Sequence, residues 1–347
     1  MKRCSVIIQG EGKGHFSQAM ALSGILISHG HEISRMYLGR SLFRGSPGYF
    51  RTVPDVRVVR FLSPNFIHTP DRKGIRILLS VFVNLLLGPV YLFEAVRIGI
   101  RMRQDKSSHV INFYDPVGSL AARWFRKRAV RIVISHHFYL SHPDFIHPHG
   151  MESSYFWLQF MNRIMMQSAN RVLALSFRKG KKEGKTEVVP PMIDERIRRG
   201  TYTPGDRDLC YFLNPGFVEE IIGYYRNHPE LKADIFTDGE VFGEIPENVK
   251  IHEPSRENFI ACMYHCKRII TTGGFDTVAE GFYLGIPLFL IPSENHYEQY
   301  CNVLDAAKTG MAFHMDELGD LEDVEFTPRD NGKFREWVEG NEEQTLL

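Results

Sequence analysis

The chain has 347 residues, of which 43% are apolar and 24% charged, and its formal net charge is +1. That is the make-up of an ordinary globular protein long enough for two domains. The near-zero charge offers no molecule-wide field for nucleic acid, so any basic recognition must be local. Five scattered cysteines (Cys4, Cys210, Cys262, Cys266 and Cys301) show no zinc-site spacing and read as reduced thiols of a cytoplasmic protein.

In chain order, Cys4–Gln9 reads as a short buried strand. Met1-Lys2-Arg3 looks like the start of a secretory signal, but this apolar run is too short to follow it. A glycine-rich turn, Gly10 to His15, leads into a helical pattern from Phe16 to Ser28, closed by His29-Gly30. Glu32–Leu38, Val56–Phe61, Val110–Phe113, Arg131–Ser135, Val172–Leu175 and Thr186–Val189 read as strands. Between them lie apolar helices over 75–103, broken near Pro89, and further helices over 117–127 and 155–168. Pro190-Pro191 ends this first alternation.

A charged stretch, Asp194–Asp208, precedes a second alternation. Its strands are 209–213, 233–237, 249–252, 268–271 and 288–291, and its helices 216–226, 257–264, 276–284 and 298–308. Strand–helix alternation predicts parallel sheets. The expected organisation is two α/β domains, 1–188 and 189–328, then a charged surface helix and loose tail over 329–347.

The segment Thr271–Val303 carries the most chemistry. A buried strand runs into Gly273-Gly274 and then into a helix. Glycines let an anion approach the backbone, and a helix N-terminus offers N–H groups with partial positive charge, which outlines a phosphate site. An ordinary strand–turn–helix capped by Asp276 or Thr277 is the competing reading. Glu280 lies about one turn beyond Thr277, placed to accept two ribose hydroxyls. A second strand–loop–helix adds polar groups from Pro292 to Asn302, among them Glu298 and Gln299, which can bond sugar hydroxyls.

The run Thr272–Asn302 resembles the donor-binding region of glycosyltransferase family 28, the MurG-like enzymes, and of the related family 1. The resemblance implies an α/β GT-B fold, two Rossmann-like domains with an interdomain cleft. It also implies roles: Gly274, Phe275, Asp276 and Thr277 at the α-phosphate, Glu280 at the ribose, Glu298 and Gln299 at the donor sugar. Asn214 would stand near the diphosphate, and the loop Glu253–Arg256 would meet the base. The chain departs from the family pattern at Glu298, where a glutamine is common, at Thr272, where a basic residue is common, and at Pro215.

Gly10-x-Gly12-x-Gly14 is a poor dinucleotide fingerprint, because position 15 is His15 and no acid ends the second strand. The loop instead resembles the family's acceptor-side loop, Gly12, Gly14 and His15. A helix N-terminus disfavours imidazolium, and a neutral His15 can take a proton from an acceptor hydroxyl. The alternative is a merely polar helix residue. Asp206-Arg207-Asp208 has the letters of a metal-binding D-x-D but reads as a solvated turn. His136, His137, His142, His147 and His149 are too irregular for a metal site, and His136 and His137 are expected at the acceptor.

Ile75–Ile100 is apolar on nearly all sides and flanked by arginines and lysines. Core helices with a basic face are one reading; a patch on anionic lipid, at the inner face of the membrane, is the other. The expected function is inverting transfer from a nucleoside diphosphate sugar, uridine-based by resemblance, to an acceptor hydroxyl of a lipid-linked or cell-envelope glycan. Neither metal nor cofactor is required, since the nucleotide-sugar is a substrate. A non-catalytic binding subunit and a UDP-sugar epimerase on the same fold remain as alternatives.

Overall fold

A computed structural model describes residues 1–10, 13–41, 56–65, 67, 76–212, 217–237, 241, 243–293, 296–322 and 330–340. The chain forms two compact units, one of Met1–Ile67, Arg76–Asp194 and Trp337–Leu347, the other of His68–Ile75 and Glu195–Glu336.

In the first unit, β1 (Arg3–Ile8), α1 (Lys13–Ser28), β2 (Glu32–Arg40) and β3 (Val58–Leu62) are followed by α2 (Ile77–Leu86) and α3 (Gly88–Asp105). Then come β4 (His109–Phe113), α4 (Pro116–Phe125), β5 (Val130–Ser135), a 3₁₀ turn over His136–Ser141, α5 (Glu152–Ser168), β6 (Arg171–Leu175) and β7 (Thr186–Val189). The seven described strands are all parallel, in the order β3-β2-β1-β4-β5-β6-β7. Cys4 to Ile8 are all buried, the continuous apolar run of a strand covered on both faces. One face of the sheet packs Ile7, Tyr37 and Val110 against Ala95, Ile98 and Met102 of α3 and Val117 and Ala121 of α4. Asp115 caps α4 and Pro116 opens it, so its start follows directly from sequence.

The second unit runs α6 (Glu195–Arg199), β8 (Arg207–Tyr211), α7 (Val218–Asn227), β9 (Lys232–Phe236), β10 (Val249–His252), α8 (Arg256–Met263) and β11 (Cys266–Thr271). It continues with α9 (Phe275–Leu284), β12 (Leu288–Leu290), α10 (Tyr297–Lys308), β13 (Ala312–His314) and the start of α11 (Gly332–Glu339), whose residues from Trp337 belong to the first unit. The described strands are again parallel, in the order β10-β9-β8-β11-β12-β13. Two parallel, helix-flanked sheets are the expected fold class. The three-residue β13 and five-residue α6 were not expected.

One expectation gives way. Asp206-Arg207-Asp208 is not a solvated turn. Asp206 is exposed, but Arg207 opens β8 and Asp208 is 2% exposed, bound by Nε and Nη2 of the equally buried Arg268 at 2.9 and 3.0 Å. The Tyr225 hydroxyl donates to the same carboxylate at 2.7 Å. Asp206 precedes the strand and stays exposed, whereas Asp208 lies inside β8, where a buried carboxylate must find a cation. Arg126 and Arg131 donate to backbone carbonyls, Arg126 to Ser107 O and Arg131 to Ser168 O. The C-terminal helix buries one side, Phe334, Trp337 and Val338, and exposes its charged side.

Removing one partner of a buried ion pair leaves an uncompensated charge, which costs about 3–5 kcal/mol. Arg268→Met is therefore expected to lower the melting temperature of the second unit markedly in calorimetry. Arg268→Met combined with Asp208→Asn should recover much of the loss.

Candidate active site

In an open parallel sheet, ligands bind beyond the carboxyl ends of the strands, where the strand order reverses. In the first unit that point lies between β1 and β4, and in the second between β8 and β11. The residues singled out in the sequence follow these strands.

After β1, α1 begins at Lys13, three residues earlier than its apolar period predicts, which puts His15 in its first turn. After β4 comes Tyr114, and after β5 comes His137. The three rings form one cluster. Tyr114 stacks on His137 with centroids 4.1 Å apart and on His15 at 5.6 Å, and the two histidines are 5.5 Å apart. Tyr114 has φ 60°, a left-handed conformation that a bulky side chain rarely adopts. Its hydroxyl donates to Oδ1 of the buried Asn162 at 2.7 Å, and Nδ2 of Asn162 donates to His137 O and Ser141 Oγ, both at 2.6 Å. One amide from α5 thus ties down both ring-bearing loops. His137 Nδ1 lies 2.8 Å from Ser135 Oγ.

His136 goes elsewhere. It is buried, with Nδ1 bonded to Leu175 O at 2.8 Å and its ring packed near Tyr139 and Phe177. Its place is in the core, because successive residues of the turn point to opposite sides. Among the described residues the histidine run supplies no cluster of three metal ligands; the one such group is Asp234, His252 and Cys262. There Asp234 already bonds His252 Nε2 and Arg207 Nε, each at 2.7 Å, so a guanidinium answers its charge. Gly14 is half-buried in α1, and Gly12 lies outside the described residues.

Asp115, beside Tyr114, is fully buried. It accepts from the Gly118 N–H at 2.6 Å and from the Ser63 hydroxyl. Burial pushes its carboxyl up to about 6 despite these bonds.

In the second unit, Gly273 has φ 81°, and a Cβ there would sit 2.6 Å from Val303 Cγ2 of α10, so both the turn and the packing demand glycine. Asn302 Nδ2 holds Gly273 O at 3.0 Å. Gly274 is the exposed N-cap of α9, and Phe275, Asp276 and Thr277 form the first turn, whose N–H groups precede the intrahelical ladder. Glu280 is 4% exposed and gripped bidentately by Arg256, with Nη1 to Oε2 at 2.9 Å and Nη2 to Oε1. The two residues, read separately in the sequence, are one unit here. Arg256 opens α8 behind its cap, Ser255.

On α10, His296 caps the helix through Nδ1, and Gln299 Oε1 accepts from the Ser293 N–H at 3.1 Å. That leaves the Gln299 amide nitrogen as its donor end. Glu298 lies half-buried in the first turn. Asn214 lies outside the described residues. Sequence reading missed Tyr114, Asp115 and Asn162. Asp115-Pro116 is a legible cap signal, but nothing local marks Tyr114 or Asn162.

Two parallel doubly wound sheets, each with its polar cluster at a point of order reversal, define a GT-B glycosyltransferase. The chain belongs to glycosyl transferase family 1, whose family model matches residues 5–327. It is an enzyme of the transferase class. Solved structures share its fold. CalG4, the calicheamicin glycosyltransferase, is 15% identical with a TM-score of 0.59, covering 98% of this chain and 95% of that one. The spinosyn rhamnosyltransferase SpnG with spinosyn aglycone is 13% identical with a TM-score of 0.58, covering 98% and 91%. MurG of Acinetobacter baumannii is 14% identical with a TM-score of 0.55, covering 100% and 92%. No curated protein matches the chain.

Asp115 also makes stability depend on pH. Its carboxyl holds a proton more tightly folded than unfolded between the ordinary 3.8 and about 6. Stability from this group is full below the lower value and is lost as pH rises through the upper one. In Asp115→Asn, loss of one acceptor should cost a constant amount, while the melting temperature relative to the parent climbs from pH 4 to pH 7. A difference that stays flat across that range would refute the assignment.

Proposed function

We propose that the protein transfers a sugar, with inversion, from a uridine diphosphate sugar to an acceptor hydroxyl. The observation that carries this reading is a glycine turn onto the N-terminus of α9, followed by a buried glutamate whose two oxygens Arg256 binds. The first-turn N–H groups of α9 suit the diphosphate. Arg256 occupies one edge of the Glu280 carboxylate, and the remaining lone pairs suit two ribose hydroxyls. By the resemblance, Glu298 and Gln299 take the donor sugar. The side chain of Arg256 thereby has a positioning task, and contact with the base falls to the backbone of 253–255.

His15 is the base in this scheme. Its imidazole takes the acceptor proton as the hydroxyl oxygen bonds to the anomeric carbon, and the bond from that carbon to the diphosphate breaks. Uridine diphosphate departs, stabilised by the helix terminus and backbone amides, so no metal enters the scheme. Stacking on Tyr114, itself packed on His137, fixes the imidazole plane. The acceptor is read as a lipid-linked or cell-envelope glycan, met at a membrane surface.

Three measurements test this. His15→Ala should lower kcat by about 10²–10⁴, the usual worth of a general base, with donor KM little changed. Glu280→Ala should raise donor KM and weaken the thermal shift caused by uridine diphosphate. A shift from uridine diphosphate larger than those from guanosine or thymidine diphosphate supports the base. Intact turnover in His15→Ala together with intact donor affinity in Glu280→Ala would sink the proposal.

A further inference from the structure

The second unit assembles a polar cluster that no spacing in the sequence announces. Strands β9 and β10 pair in parallel, with Asp234 opposite Lys250 and Phe236 opposite His252. Residues two apart on a strand share a face, so Asp234, Phe236 and His252 stand on one side of the sheet. The next element, α8, packs on that side, where the Phe259 and Phe236 rings meet edge to face with centroids 5.3 Å apart. Cys262 lies one helical turn beyond Phe259 and on the same stripe of α8. The crossover that leaves β10 thereby brings a thiol over a carboxylate and an imidazole.

The ligand atoms of Asp234, His252 and Cys262 all lie within 4.8 Å of one another, and the three residues are half-buried. The closest pair, His252 Nε2 and Asp234 Oδ1, is 2.7 Å apart. A tetrahedral zinc ion, with bonds of about 2.0–2.3 Å, spaces its ligand atoms roughly 3.3–3.7 Å apart, inside that range. Two of the ligands are also held from behind, as metal ligands are. His252 stacks on Phe236 with centroids 4.7 Å apart and an interplanar angle of 13°. Arg207 Nε donates to Asp234 Oδ2 at 2.7 Å, and its Nη2 donates to Ala233 O and Asn248 O, which anchors the guanidinium at two backbone points. The arginine therefore engages the outer oxygen and leaves Oδ1 to the cluster. Of the five cysteines, Cys262 alone is not fully buried, so it is the thiol that an ion from solvent can reach.

We propose that Asp234, His252 and Cys262 bind one divalent cation of the zinc class. Thiolate and imidazole favour zinc over magnesium and calcium, which take oxygen ligands. Three protein ligands in a half-exposed place leave the fourth corner of a tetrahedron to water. On binding, the thiol gives its proton to solvent, and the imidazole carries its proton on Nδ1 so that Nε2 faces the metal. Thiolate and carboxylate then supply two negative charges to the two positive charges of the cation, and Arg207 remains as the outer donor to the ligating carboxylate. The ion ties the last residue of β10 to the last turn of α8 and clasps the segment 253–255 between them. It takes no part in the transfer, and its binding is independent of the donor and acceptor readings.

The test uses the full-length chain, reduced and stripped of metal with a chelator. Cobalt(II) is titrated as a spectroscopic probe, and zinc is titrated in competition with a chromophoric chelator. One cobalt per chain should give a thiolate-to-cobalt charge-transfer band that zinc abolishes, and zinc should raise the melting temperature. Cys262→Ser should lose the band and the thermal shift and weaken zinc binding by at least roughly a hundredfold, while melting like the parent without metal. His252→Gln, a second single-ligand variant, should do the same. Cys266→Ser, in which the lost thiol donates to Met263 O at 3.5 Å, should keep the band and the affinity. A band that survives in Cys262→Ser, or zinc affinity equal to that of the parent, overturns the proposal by placing the metal elsewhere. A parent that shows no band and does not compete with the chelator for zinc overturns it as well.

Discussion

Parallel strands end on one side, and the constraint that shapes this protein is what happens at that side when the crossovers leave in opposite directions. Between β1 and β4, and again between β8 and β11, successive connections diverge and leave a crevice lined by the first residues beyond each strand. His15, Tyr114 and Asp115 line the first such point, with His137 one strand further on; Gly273 and Gly274 line the second. None of these residues needed a special loop to reach its place. The right-handed, parallel winding delivers them there.

What the crevices hold differs by unit because the backbone approaches differ. In the second unit, the carbonyl of Gly273 is bound by Asn302 and its Cα faces Val303, so α10 presses the glycine turn into one shape. The backbone itself then presents a ready surface for an anion. In the first unit, the corresponding loop after β4 carries a tyrosine in a left-handed conformation. That strain persists because Asn162 and two stacked rings over-determine it. A backbone cradle suits phosphates; a rigid stack of rings suits orientation of an imidazole.

Buried charge follows the same logic of prior commitment. Glu280 and Asp208 are both carboxylates inside the second unit, and each is answered by an arginine, Arg256 and Arg268. The difference is position. Asp208 lies in the strand and is enclosed by Arg268 and Tyr225, which uses its oxygens for structure. Glu280 lies one turn into α9, and Arg256 from α8 binds both of its oxygens. The α2–α3 pair departs from this pattern, with Leu78, Phe82 and Leu85 exposed while Ser80 of the same helix is buried.

Local sequence by itself determined most of the elements, because strands covered on both faces read as unbroken apolar runs and the helices carry legible starts. Asp115-Pro116 and the glycine pair before α9 mark their helix starts without help from the fold, and the strand–helix–strand–helix order from Thr271 to Val303 was readable. The short β13 and α6 were not, since neither has the unbroken apolar run that marked the equally short β12. Tertiary structure alone decided which charged residues meet. Arg256 and Glu280 are 24 positions apart, and Arg268 and Asp208 are 60 apart. It likewise decided that His137 joins His15 while His136 turns into the core. Such pairings depend on strand order and crossover direction, which place distant residues side by side, and no local pattern of residue types encodes that.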